Sequence, residues 1–145
     1  MMKSSRLYHM VLAGVLCAVG IVVPMFMPRI VLGPMSFTLA SHVAVFLGMF
    51  ISPAVAVAVC IGTTLGFFLT TPAIIALRAA SHIVFAGLGA LYLKKHPDTI
   101  DRPVASTVFN FVIALLHAAA EMIVVAPFSQ YSSIVYFLLP TFAWL

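Results

Sequence analysis

The sequence predicts an all-α, polytopic membrane helix bundle of five complete spans and a truncated sixth. Hydrophobic residues make up 64% of the 145 residues and charged residues only 7%, whereas an ordinary soluble domain is about 45–50% apolar and about 25% charged. The apolar residues also fall into segments of roughly 20, the length that crosses a bilayer. The scarcity of charge excludes a soluble globular domain, and the high hydrophobicity excludes a disordered chain.

Prolines and polar residues divide the sequence into six apolar segments, which we interpret as a single transmembrane domain. The segments are residues 7–27, 36–52, 53–69, 72–93, 103–126 and 134–145. Pro53, Pro72 and Pro103 each open a segment, because proline is tolerated in the first turn of a helix. The last segment would form only about 18 Å of helix. We therefore expect a six-span protein truncated at its C-terminus, or a segment that folds back into the membrane.

The first segment follows Lys3 and Arg6, as the apolar part of a secretory signal peptide would. No small-residue cleavage site ends this run, and further apolar segments follow it. We therefore interpret it as a retained first span.

The basic residues predict the orientation, since cytoplasmic loops carry an excess of Lys and Arg. With the N-terminus inside the cell, only Arg29 lies in an outer loop, at 28–35. The basic residues on the cytoplasmic side are then Lys3, Arg6, Lys94, Lys95 and Arg102. We expect a multi-pass protein of the cell membrane with a cytoplasmic N-terminus. No basic patch alternates with aromatic residues, so a nucleic-acid partner is not expected.

Polar residues inside the predicted spans gather in the outer half of the bilayer. They are His42, Arg78, His82, Asn110, His117 and Glu121. Arg78 and His82 are four residues apart and share one helix face, as do His117 and Glu121 on a later, antiparallel span. The helical rise places Arg78 level with Glu121, and His82 level with His117. Because ionisable groups within a membrane usually mark a functional site, we predict a ligand pocket here.

Aromatic residues beside convergent polar groups suit a small planar ligand, and we place Arg29 and Phe37 at the mouth of the pocket. Two other interpretations stay open: a structural ion pair between Arg78 and Glu121, and histidines that only hydrogen-bond helices together. The spacing of the histidines is not typical of zinc, so no metal is expected. No motif indicates a nucleophile, and we predict no catalytic residue and no cofactor.

Small residues on the first span predict a docking surface for a membrane partner. Gly14 and Ala18 form one small-xxx-small pair, and Ala13 and Cys17 form a parallel one. Such pairs allow helices to approach closely. The glycines of GTTLG at 62–66 are attributed instead to packing inside the bundle. The chain has no phosphate-binding loop, so energy for transport would have to come from a partner.

Three stretches carry a resemblance to a known family. They read MVLAGVLCAVGIVVP (10–24), ASHVAVFLGMFISPAVAVAVCIGTTLGFFL (40–69) and LRAASHIVFAGLGALYLKKHP (77–97). The sequence resembles the S components, the substrate-binding subunits of energy-coupling factor (ECF) vitamin transporters. Within that family it is most similar to the niacin type, and the residues that carry this similarity are HVAVF at 42–46 and the Arg78/His82 pair. One departure is the span-one motif, usually Ala-x-x-x-Ala, which here reads AGVLCA at 13–18.

The resemblance implies an S-component-like fold and a membrane subunit that binds niacin (nicotinate or nicotinamide) with high affinity. Its partners would be a transmembrane scaffold subunit and two cytoplasmic ATPases, and the chain itself would not be an enzyme. Arg78, with His82 or His117, would hold a carboxylate, and Glu121 or Asn110 would meet a ring nitrogen. The alternatives are an S component for another vitamin such as pyridoxine or pantothenate, a small membrane-embedded metal-dependent enzyme, and a channel or exporter.

Overall fold

The chain folds as a bundle of apolar helices with one small β-hairpin. A computed structural model describes residues 2–32, 35–38 and 40–128. Its helices and strands, in chain order, are α1 (Met2–Phe26), β1 (Arg29–Leu32), β2 (Met35–Thr38), α2 (Val43–Ile51), α3 (Pro53–Thr70), α4 (Ala73–Lys95) and α5 (Pro103–Val125). Short 3-10 turns cover Pro97–Thr99 and Ala126–Phe128.

Within the described residues, four helices are long and apolar enough to cross a membrane, namely α1, α3, α4 and α5. Together with the composition, this makes the chain a multi-pass membrane protein. The expected count of five complete spans plus a sixth is not observed in this part of the chain. The predicted sixth segment, 134–145, lies outside the described residues.

The second predicted span, a helix over 36–52, is wrong in its extent. Its first residues belong to β2, which pairs antiparallel with β1 and sets Arg29 opposite Thr38. Ala40 then adopts a φ of 61°, in the left-handed region that a right-handed helix cannot include. Helix α2 begins only at Val43 and has nine residues. It is therefore about 14 Å long, about half the hydrocarbon thickness of a bilayer.

Ser52 makes the sharp junction between α2 and α3. Its backbone N–H donates to the carbonyl of Gly48 at the end of α2, 3.2 Å away. Its side-chain oxygen accepts from the N–H of Val55, also at 3.2 Å, and so caps the start of α3. Pro53 occupies the first turn of α3, where its missing amide hydrogen costs nothing.

The core lies between α2, α3 and α4, with α1 packed on α3 and α5 packed on α4. Phe85 of α4 is its largest fully buried side chain. Glycines bring α1 and α3 together: a Cβ added at Gly62 would overlap the side chain of Cys17, and one at Gly66 would overlap Ile21. The glycines of GTTLG therefore pack inside the bundle, as the sequence predicts.

Candidate functional site

Five polar side chains from three parts of the fold converge within the bundle. His42 lies immediately before α2, and α4 and α5 supply the other four. These four are Arg78 and His82 of α4, and His117 and Glu121 of α5. His82, His117 and Glu121 are buried, and the side chain of Arg78 is only 12% exposed. We call these five residues the polar cluster.

An ion pair joins α4 to α5 at the polar cluster. Arg78 Nη2 donates to Glu121 Oε2 at 2.9 Å, which confirms that the two residues lie at the same level of antiparallel helices. Charged groups inside a bilayer are costly unless they are paired. The arginine is also held through its own backbone, because Ser81 Oγ donates to the Arg78 carbonyl oxygen at 2.7 Å. The guanidinium has five N–H donors, and this ion pair uses one of them.

The histidines gather around the second oxygen of Glu121. Its Oε1 atom lies 3.4 Å from His82 Nε2 and 3.4 Å from His117 Nε2. His42 Nε2 is 3.1 Å from His82 Nε2, and the other ring nitrogen of His42 lies 2.9 Å from Ser41 Oγ. One donor atom from each histidine and one from Glu121 lie within 4.8 Å of one another. The site can therefore hold a small charged or hydrogen-bonding group from several directions.

Aromatic rings form one wall of the polar cluster. The ring of Phe85 lies with its centroid 5.5 Å from that of His82 and 4.9 Å from that of His117. Phe46 of α2 contacts Phe85 in turn, at 5.8 Å. Phe85 is not among the residues predicted for the site, although it lies one helical turn after His82 and so shares its face. The polar groups therefore adjoin the apolar core, where electrostatic interactions are screened less than in water.

Two cavities adjoin the polar cluster. The smaller, of about 40 Å³, is bordered by Arg78, His82 and Glu121, and also by Thr38 at the end of the hairpin. This volume holds about one water molecule. The larger, of about 380 Å³, reaches His117 from the other side. Its other lining residues are Phe46, Thr107, Asn110, Phe111, Ile113 and Ala114.

Of the remaining residues predicted for the site, Asn110 is the one whose side chain the structure describes, and it lies apart from the polar cluster. Asn110 is on an exposed part of α5 and lines only the larger cavity. It precedes Glu121 by about 16 Å of helix. Arg29 and Phe37 belong to β1 and β2, and their side chains lie outside the described part of the structure. The hairpin nevertheless reaches the site, because Thr38 lines the smaller cavity.

The four residues of α1 predicted for docking divide between two faces. Cys17 lies against Gly62 of α3, and its thiol is 3.4 Å from the carbonyl oxygen of Ala58. Ala13 also packs against the core. Gly14 and Ala18 are exposed, and a Cβ added at Gly14 would meet no atom within 4 Å among the described residues. Of the predicted docking residues, only Gly14 and Ala18 face outward.

Comparison with known proteins shows a similarity to a transporter. The chain is similar to the niacin transporter NiaX of Lactococcus lactis subsp. cremoris (strain MG1363), with 41% identity over 128 residues. The match covers 87% of this chain and 58% of the relative, so the chain spans less than two thirds of that protein's length. The resemblance to niacin transporters predicted from the sequence is confirmed. No protein-family model matches the chain, and no solved structure matches it.

Proposed function

We propose that the chain is the niacin-binding subunit of an ECF-type importer. The similarity to a niacin transporter, extending over 87% of the chain, supports the substrate class. The polar cluster is the observation that carries the proposal, because it places an arginine and three imidazoles inside an otherwise apolar bundle. Buried charges of this kind are expensive and are usually found where a membrane protein binds its substrate.

Arg78 is the residue proposed to bind a nicotinate carboxylate. A guanidinium presents parallel N–H donors that match the two oxygens of a carboxylate. Arg78 is held in place by Glu121 and borders the smaller cavity, so its other donors can serve a ligand. His82 and His117 add ring nitrogens from the same cluster. The smaller cavity, of about 40 Å³, is too small for a pyridine ring, so binding there requires its walls to move apart.

The ring nitrogen of the ligand is assigned to the Glu121 side of the polar cluster. Asn110 was the other candidate, but it lies about 16 Å along α5 from Glu121. A single-ring carboxylate held by Arg78 cannot span that distance. His117 lies one turn from Glu121 and is the nearer hydrogen-bonding partner for the ring.

The test is nicotinate binding to the purified protein, measured by isothermal titration calorimetry. Arg78→Ala is expected to weaken nicotinate binding by at least about tenfold, since a charged hydrogen bond is worth about 1.5–3 kcal/mol. Nicotinamide, which has no carboxylate, should lose less affinity in the same variant. Arg102→Ala is the matched control, because the side chain of Arg102 is 73% exposed. Equal affinities of Arg78→Ala and the unmodified protein would exclude the assignment of Arg78.

The same titration separates the other vitamin classes. Pyridoxine and pantothenate are the comparison ligands, and neither should displace nicotinate at equal concentration. Displacement by either one would assign the chain to that vitamin instead.

Transport is proposed to need a membrane scaffold subunit and two cytoplasmic ATPases, with the N-terminus of this chain in the cytoplasm. Within the described residues, Gly14 and Ala18 are the small residues of α1 left open on its outward face. They support a close helix–helix contact with the scaffold. The other two predicted docking residues, Ala13 and Cys17, pack within the bundle.

A further inference from the structure

We propose that His42, His82, His117 and Glu121 bind one divalent transition-metal ion of the zinc class. The inference deepens the niacin proposal, because it concerns the same polar cluster, but it is argued only from the positions of four ligand atoms. One ligand atom from each residue lies within 4.8 Å of the other three. The closest contacts join Nε2 of His82 to Nε2 of His42, and join Oε1 of Glu121 to Nε2 of both His82 and His117. Three imidazoles and one carboxylate form a donor set that suits Zn²⁺ and neighbouring divalent ions.

Three of the six distances between the four ligand atoms are close to those around a tetrahedral metal ion. Zinc binds imidazole nitrogen and carboxylate oxygen at about 2.0–2.2 Å, which sets neighbouring ligands about 3.3–3.5 Å apart. His42 Nε2 and His82 Nε2 are 3.1 Å apart. Glu121 Oε1 is 3.4 Å from the Nε2 atoms of His82 and His117. Three edges of the expected tetrahedron are therefore present, within a few tenths of an ångström.

Neighbouring groups orient the ligands towards a common point. Ser41 Oγ lies 2.9 Å from Nδ1 of His42, and a hydrogen on that nitrogen leaves the Nε2 lone pair directed at the cluster. Arg78 holds the outer oxygen of Glu121, Oε2, which leaves Oε1 turned towards the histidines. Metal sites in proteins commonly have hydrogen bonds of this kind behind their ligands.

Protons alone satisfy this arrangement poorly. His82 Nε2 faces both His42 Nε2 and Glu121 Oε1, and a ring nitrogen carries at most one hydrogen. That hydrogen can be directed well at only one of the two neighbours. A cation at the centre accepts lone pairs from all four ligand atoms at once. The ion also adds charge beside Arg78, so metal and an anionic ligand should strengthen each other's binding.

Sequence spacing gave no reason to expect this site. The familiar zinc motifs place two ligands close together on one element. Here His117 and Glu121 lie one turn apart on α5, but the other two ligands come singly from the residue before α2 and from α4. Only the packing of these elements brings the four ligands together. The prediction from the sequence that no metal binds stays a prediction.

Metal content of the purified protein tests the inference. The protein should carry an affinity tag without histidine, and its metal should be measured by mass spectrometry. About one equivalent of zinc is expected. After chelation, titration with Co²⁺ should give the visible absorption of a four-coordinate ion. Both measurements are made with and without nicotinate, because the two ligands are expected to bind together.

Variants locate the ion. His82→Ala and His42→Ala are each expected to weaken Co²⁺ binding by at least about tenfold. Mutating a residue that only hydrogen-bonds to a metal ligand already lowers metal affinity by about 10–100-fold, and loss of the ligand itself should cost no less. His42 is only half-buried, so its variant keeps the test valid if His82→Ala fails to fold. His96→Ala is the matched control, because His96 is exposed and stacks on Tyr92 away from the cluster.

Two results would overturn the inference. One is folded protein that binds less than about a tenth of an equivalent of zinc and shows no Co²⁺ absorption, with or without nicotinate. The other is unchanged Co²⁺ affinity in His42→Ala and His82→Ala. Nicotinate binding that persists after chelation would leave the niacin proposal intact, so the two failures are distinguishable.

Discussion

Neutralising Glu121 should show whether the ion pair with Arg78 stabilises the bundle. Glu121→Gln keeps the size of the side chain and removes its charge. The pair is 2.9 Å long, and its side chains are 12% and 10% exposed. At an effective dielectric of about 20, the lost attraction is about 6 kcal/mol. Loss of one partner from a buried pair usually costs about 3–5 kcal/mol, because the remaining charge stays buried.

The second half of the experiment removes both charges. Arg78→Met combined with Glu121→Gln should recover most of the lost stability, since replacing a buried pair by neutral groups is often close to neutral. Nicotinate binding should not recover, because the guanidinium is gone. A pair with a purely structural role would instead allow the double variant to keep its affinity for nicotinate.

The assay is thermal unfolding of the detergent-purified variants, followed by loss of monodisperse protein. Asp98→Asn is the control, because its pair with Arg102 is 4.0 Å long and its side chains are 73% and 69% exposed. Exposed pairs contribute about 0.2–1 kcal/mol, so this change should barely shift the midpoint. The reasoning fails if Glu121→Gln unfolds at the same temperature as the unmodified protein, or if the double variant is less stable than Glu121→Gln alone.

Three further predictions follow from the packing and the orientation. Gly62→Ala should lower the free energy of unfolding by about 1–3 kcal/mol, because the added Cβ overlaps a side chain of α1. Gly14→Ala should leave it nearly unchanged, since the Cβ added there meets no described atom within 4 Å. Equal effects of the two changes on thermal unfolding would contradict the α1–α3 contact. Gly14→Leu should preserve nicotinate binding but abolish uptake in cells that express the partner subunits, and normal uptake would remove α1 as the docking surface. Cysteine labelling should reach Ile30→Cys from outside intact cells and reach Asp101→Cys only after lysis; the reverse pattern would invert the proposed orientation.

The pairing of α4 with α5 was predictable because helical geometry is regular. A fixed rise per residue puts Arg78 level with Glu121 once the two helices run antiparallel. The observed 2.9 Å contact agrees with that reasoning. Which small residues of α1 face α3 was not predictable, because Gly14/Ala18 and Ala13/Cys17 satisfy the same spacing. Only the packing against Gly62 selects the second pair.

The largest error in the sequence analysis occurs beside the polar cluster. Residues 36–52 are apolar enough to suggest one continuous helix, since hydropathy does not distinguish a strand followed by a short helix from a single span. In the structure, helical geometry is interrupted at Ala40, whose φ of 61° is unusual for a residue other than glycine. Such conformations persist where the surrounding structure imposes them, and they concentrate at ligand sites. The break starts α2 directly after His42, whose Nε2 atom lies 3.1 Å from His82. The continuous helix predicted from hydropathy therefore fails next to His42, a member of the polar cluster. This supports a binding role for the polar cluster over a role in packing alone.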